Sequence, residues 1–354
     1  MSFERGSCEH HRLKLPRNVD FSRLSDLASE FPAVAELFDS LQTIDDSCHD
    51  WSMGTERELA EEAFASNVLT AQWASKLPGD RNSVISGTGV WLLLVALLAA
   101  ADDETGDELA AATGVARVDA PGSFTATFDL LKRTPGVEVA VGIWANIDLN
   151  RDFAKVIPAT IDRLPANMEP LDKWARDNTG GLIDVFPGTI NPDTCFVTAS
   201  ALAAQADWVH PFDESYGSWP EPRDWPEQRE WPEQREWPGL CWLDRSGTDL
   251  NSASIVSNES RSISRVVCET VSGFDVHLVA GSVDDTPEKV IALAIDAILG
   301  HAKVVSGSKL RVGDKAGCLV VEAIWSIDKA PKLNVSLPAF EVHQDHNLLS
   351  DANV

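Results

Sequence analysis

Residues Leu171–Phe212 read LDKWARDNTGGLIDVFPGTINPDTCFVTASALAAQADWVHPF, and the reading of this stretch decides the fold. Its first part predicts an amphipathic helix from about Pro170 to Thr179. A connector follows, and then a strand from about Cys195 to Ala206. That strand is nearly all apolar or small, so it is expected in the centre of a sheet, buried on both faces. Trp174 and Ile183 are placed to anchor the helix onto the sheet.

Upstream, Val137–Leu149 (VEVAVGIWANIDL) is rich in β-branched and aromatic residues with few charges, as a central strand requires. A helix is expected around Phe153–Leu164. Farther back, ELAEEAFASNVLTAQWASKL places Leu59, Phe64, Val68, Leu69 and Trp73 on one helical face, and Pro78-Gly79 stop it. Asn82–Ser86 is a short strand candidate leading into the apolar run Gly89–Ala101, a core helix too short to span a bilayer. Thr105 followed by Glu108 fits a capping box at a helix start, and Gly114 reads as that helix's stop. Residues 1–58 read as an extension, with Leu24, Leu27, Phe31, Val34 and Leu37 near helical spacing and Pro32 breaking it.

Downstream, Ser218–Pro238 repeats WPEPRD, WPEQRE, WPEQRE, and is expected to form a solvated, extended insertion at about 217–240. Short strands are expected at Ser254–Val256, Ser264–Thr270, Phe274–Val279, Cys318–Trp325 and Lys332–Val342, with a helix at Pro287–Leu299. Helices first, then strands, with one main domain at 59–354, give an α+β class with antiparallel sheets.

Composition narrows the function classes. A net charge of -26 argues against a nucleic-acid partner, because phosphates are repelled. The N-terminus, MSFERGSCEHHRLKLP, has no apolar core of signal-peptide length, and no apolar run is long enough to span a membrane, so a cytoplasmic location and no membrane partner are expected. The six cysteines (Cys8, Cys48, Cys195, Cys241, Cys268 and Cys318) lack tight spacing and read as free, mostly buried thiols. There is no G-x-S-x-G, no H-E-x-x-H and no phosphate-cradling glycine loop, so no enzyme is expected, and no cofactor. His277 lies in an alternating strand, as a surface or core histidine. Cys8, His10, His11, Cys48 and His49 fit no standard zinc spacing; the plain reading is polar residues near a terminus, with a metal-binding module as the remote alternative.

Several blocks, taken in order, resemble the serpin family of serine protease inhibitors. Asn82–Ser86 with Gly87-Thr88-Gly89 is similar to the family's N-x-x-x-S-P-x-S, with Ser86 on the first serine and glycines in place of the proline and second serine. Glu104, Thr105, Glu108, Leu109 and Gly114 resemble its E-T-x-x-E-L block. Trp174, Thr179, Gly181 and Ile183 match the helix over the main sheet, and Trp208 and Phe212 match the end of its third strand. Ser200 stands where the family usually has asparagine, which weakens the polar cluster under the sheet. Leu337-Pro338-Ala339-Phe340 matches L-P-x-F, with Pro338 on an edge or entry strand and Phe340 expected as a large buried aromatic.

The resemblance implies helices packed on a large mixed sheet with smaller antiparallel sheets, a protease as partner, and an extracellular location as the alternative. It also implies inhibition by a cleaved loop that inserts as a strand, a form of strand addition driven by stored strain. That loop would follow L-P-x-F, and the sequence runs only to Val354. The expectation is therefore a chain lacking the loop and the C-terminal strands: a non-inhibitory or truncated member, or a scaffold that a partner completes. Unpaired sheet edges would then allow oligomerisation.

Overall fold

A computed structural model describes residues 54–76, 82–101, 103–146, 153, 157–205, 207–216, 241–323, 330–340 and 342. The expected extension up to residue 53, the hexapeptide repeat, Cys8, His10, His11, Cys48 and His49 lie outside these residues. Among the described residues four helices come first: α1 (Gly54–Lys76), α2 (Gly87–Ala100), α3 (Asp103–Thr113) and α4 (Ala120–Arg133). The α2 sequence GTGVWLLLVALLAA is apolar on every side, which makes burial its only stable placement. Its Trp91, Leu92, Val95, Ala96 and Leu98 are fully buried, and the Trp91 indole donates to the Thr113 carbonyl at 3.0 Å.

These helices cover one face of a three-stranded sheet of order β2-β1-β3. The middle strand β1 (Val137–Ala145) is buried from Val139 onward, as its composition predicts. Val139, Val141 and Ile143 turn toward α2 and α4, whereas Trp144 turns to the opposite face. β2 (Thr160–Arg163) runs parallel to β1. This shortens the helix expected around Phe153–Leu164: Phe153 is helical and the Ile157 amide bonds its carbonyl at 3.2 Å, but Pro158 cannot continue such a helix and the chain after it extends. β3 (Phe196–Ala204) runs antiparallel to β1 along all nine residues, from Val137 opposite Ala204 to Ala145 opposite Phe196. α5 (Glu169–Asn178) crosses the second face of this sheet, one residue from its expected bounds.

The remaining strands form two further antiparallel sheets and a short hairpin. One sheet has the order β12-β5-β4, from β12 (Leu333–Pro338), β5 (Cys241–Gly247) and β4 (Asp213–Tyr216). The other has the order β8-β7-β6-β9, from β8 (Asp275–Ala280), β7 (Ser262–Glu269), β6 (Ala253–Ser257) and β9 (Lys303–Ser306). α6 (Pro287–Leu299) covers it, setting Leu293, Ala294 and Ala297 against Val256 and Ile263. β10 (Lys315–Ala316) and β11 (Leu319–Val320) close the hairpin, so most of the described part of Cys318–Trp325 is not strand.

Four further expectations are corrected. Asn82–Ser86 is extended coil without sheet pairing, and Ser86 caps α2. α3 begins at Asp103, so Thr105 lies inside its first turn, not at the cap. β3 is half-buried rather than buried on both faces; only Ala201 is buried, because the strand lies at a sheet edge among the described residues. Of the four described cysteines only Cys268 is buried, while Cys195 and Cys318 are exposed.

Candidate functional site

The quoted stretch wraps around β3, and its polar residues explain how. Thr179 is 1% exposed; its hydroxyl donates to the Ala175 carbonyl at 2.8 Å and accepts the Ile183 amide at 3.0 Å. One side chain thus closes α5 and fixes the start of the connector. Gly180 and Gly181 follow at φ 59° and 83°, a left-handed pair that side chains disfavour. The Gly181 amide returns to the Arg176 carbonyl at 2.9 Å. Farther on, Asp172 accepts the Phe186 amide at 2.8 Å, and Arg176 donates to the Asp184 carbonyl at 2.6 Å.

An aromatic trio clamps this layer to the sheet. The Trp144 ring meets Trp174 edge-on at 5.1 Å and Phe186 edge-on at 6.0 Å. Trp174 therefore anchors the helix as expected, but Ile183 is 37% exposed and does not. Phe186, which no motif marks, takes that place. The Trp144 ring also lies over Gly142, where an added Cβ would stand 2.3 Å from the ring.

On the opposite face of β3 the structure brings Ser86, Gly89 and Ser200 together. A Cβ on Gly89 would lie 3.0 Å from both the Ser200 and the Ser86 hydroxyl oxygens. The Ser86 hydroxyl accepts the Gly89 amide at 3.1 Å, so it serves the start of α2. Gly87 permits α1 and α2 to touch: a Cβ there would be 1.8 Å from the Thr70 hydroxyl. Ser66 and Thr88 bridge the same helices at 2.9 Å.

The other motif residues lie apart from this centre. Trp208 and Phe212 stack edge to face at 5.9 Å, Arg245 sits over the Phe212 ring at 5.2 Å, and Trp208 bridges to Thr270 beyond β7. Pro338 closes the edge strand β12 opposite Trp242, where a missing amide is tolerated. Phe340 is 73% exposed, which corrects its expected burial; the backbone leaves the sheet after the Ala339 amide bonds the Cys241 carbonyl. Asn82, Glu104 and Thr105 are all exposed.

Electrostatics do not assemble a catalytic or metal centre among the described residues, where no group of three or more His, Cys, Asp or Glu could hold a metal ion. Hydrogen bonds from Ser215 and Ser336 hold the half-buried Asp244 carboxyl below its ordinary range. Burial first, and then Arg265, lower the affinity of His277 for a proton, against a raising effect of Asp275. Burial alone does the same to His301. Neither ring nitrogen of His301 has a hydrogen-bond partner. No described helix is long and apolar enough to cross a membrane.

Helices over one face of a mixed sheet, a helix across its other face and two smaller antiparallel sheets make this an α+β domain of the serpin fold. Residues 59–218 match the family model Serpin (serine protease inhibitor). Three solved structures share the architecture at low identity. The thermophilic serpin Tengpin in its latent state is 13% identical, with a TM-score of 0.55 over 83% of this chain and 72% of that one. Cleaved Serpin 42Da is 13% identical, with a TM-score of 0.57 over 81% and 73%. Reactive-loop-cleaved human thyroxine-binding globulin is 11% identical, with a TM-score of 0.56 over 81% and 80%. No match is found among the curated proteins. The described residues have the serpin fold, and residues 59–218 match the serpin family model.

Proposed function

We propose that this chain is a non-inhibitory member of the serpin family that binds an extended polypeptide along the outer edge of β3. The observation that carries this reading is the pairing of β3: nine residues in continuous register with β1 on one side, and a sheet edge among the described residues on the other. An edge of that length offers a row of backbone donors and acceptors to an added strand. The strand is small-residued at Ala199, Ala201, Ala203 and Ala204, so its side chains obstruct little. Ser200 in place of the family's usual asparagine, with glycines at 87 and 89, supports the non-inhibitory part.

The fold serves more than one kind of partner. One similar structure is a loop C-sheet serpin polymer, and another is thyroxine-binding globulin complexed with thyroxine-fluorescein. Binding is therefore tested separately from inhibition. A fluorescein-labelled Thr/Val/Ala peptide as long as β3 is titrated into the chain and followed by anisotropy. In parallel the chain is mixed with trypsin-, chymotrypsin-, elastase- and papain-type proteases and run on denaturing gels. Saturable peptide binding without an SDS-stable protease complex is expected. Absence of peptide binding refutes strand addition, and a covalent complex refutes the non-inhibitory assignment.

A further inference from the structure

The sheet of order β8-β7-β6-β9 carries an arginine without an acid to match it. Arg265 on β7 is half-buried, and its Nε donates to the Ser254 hydroxyl at 3.3 Å; it forms no ion pair among the described residues. We propose that the Arg265 guanidinium and the neighbouring His277 ring form a binding site for a small monocarboxylate. Neither the family match nor the edge of β3 assigns a ligand to this face.

Backbone register puts these groups together. Ser254 stands opposite Arg265 on one side, and Val279 on the other. His277 stands opposite Val267, two residues along β7, so Arg265 and His277 are diagonal neighbours on one face of the sheet. Ile263 shares that face, which α6 meets at Val256 and Ile263. Ser254 is only 3% exposed, and its bond to Nε fixes the plane of the guanidinium and leaves both Nη groups to donate. The His277 Nδ1 is out of solvent with no hydrogen-bond partner.

Charge selects the ligand. Burial lowers the affinity of Arg265 for its proton, and no carboxylate raises it again. Arg261, four residues earlier on β7's approach, has the ordinary solution: its Nε lies 3.8 Å from the Asp285 carboxylate. Glu269 and Asp275 stand opposite each other four residues along the strands from Arg265, about 13 Å away at the strand rise and too far to pair with it. A half-buried cation without a partner is costly, and a carboxylate relieves it by accepting two parallel bonds from the Nη groups. Burial first and then Arg265 disfavour the charged form of His277, against Asp275, so the ring serves as a neutral donor. One guanidinium in a chain of net charge -26, with two acids at the end of the face, suits a single negative charge rather than a phosphate dianion.

The test uses side-chain NMR of the full chain with isotope-labelled arginine and histidine. Acetate is titrated at fixed ionic strength, with chloride and phosphate as comparison anions. The Arg265 Nε–H signal, identified by its absence in Arg265→Met, should shift saturably, with acetate bound at least roughly tenfold tighter than either comparison anion. In the Arg265 variants the His277 ring signals report binding. Arg265→Lys keeps the charge and loses the planar fork, and should weaken acetate by about tenfold. Arg265→Met should abolish binding and raise the urea midpoint, because it removes an unpaired half-buried charge and keeps the apolar stem. The proposal is overturned by no saturable shift, by equal affinity for chloride or phosphate, or by full affinity in Arg265→Lys. A lower urea midpoint for Arg265→Met makes the guanidinium a structural group and overturns the site as well.

Discussion

Gly142→Ala should change sign with its neighbour. In the parent chain the added methyl would stand 2.3, 2.8 and 2.9 Å from three carbons of the Trp144 ring, far inside contact distance. That ring is only 5% exposed and is wedged between Trp174 and Phe186, so it has little room to withdraw. Overpacking of this kind costs about 1–3 kcal/mol. Replacing a strand glycine by alanine otherwise gains roughly 0.5–1 kcal/mol through lost freedom of the unfolded chain. Trp144→Ala alone should cost about 3–5 kcal/mol, from the cavity and the broken aromatic edges. In that background the methyl meets open space, and Gly142→Ala should become neutral or stabilising by up to about 1 kcal/mol. The coupling between the two sites is then the overpacking cost itself, about 1–3 kcal/mol, above the roughly 0.5 kcal/mol scatter of independent sites. Urea unfolding of the four proteins, followed by far-ultraviolet circular dichroism, measures it. Additive effects would refute the stacking of Trp144 over Gly142.

Thr179→Val removes both bonds that close α5 and should cost about 1–2 kcal/mol in urea unfolding; an unchanged midpoint contradicts that assignment. Phe340→Ser should change stability by less than about 0.5 kcal/mol, because the ring is 73% exposed, and a loss several times larger would show that it is covered. Burial lowers the proton affinity of His277 and His301 below the ordinary 6.5, so the folded chain binds fewer protons than the unfolded chain in that window. Their contribution is complete above 6.5 and is lost as pH falls from there toward their lowered folded values. His301→Gln should therefore flatten the acid side of the stability curve measured by denaturant titration at successive pH values, and an unchanged slope would contradict the burial of the ring.

The parts of the fold that were legible in the sequence are those where one physical signal dominates. Val137–Leu149 carries the apolar content of a strand covered on both faces, and β1 is that strand. Pro287–Leu299 has its proline at the start and Gly300 beyond its end, and α6 has those bounds. Thr179 and Gly181 act within a few residues of themselves, through bonds to Ala175, Ile183 and Arg176. What the sequence obscured depends on contacts distant along the chain. The apolar alternation that marks β3 does not reveal which of its edges finds a partner. Phe340 has the chemistry of a core residue and lacks a neighbour to cover it among the described residues. Phe186 looks like any connector aromatic until Trp144, 42 positions earlier in the chain, is set beside it. Within Phe153–Leu164, Pro158 marks where the helical backbone gives way to β2.

Strand addition on β3 is tested most directly by amide hydrogen exchange across Phe196–Ala204 with and without the Thr/Val/Ala peptide. In an antiparallel pair the amides alternate between facing the partner strand and facing away. The amides already bonded to β1 should keep their rates. Those on the outer edge should slow by more than about tenfold as that row becomes paired. Peptide that binds without slowing any β3 amide, or that protects only residues elsewhere in the chain, would contradict the placement of the acceptor edge.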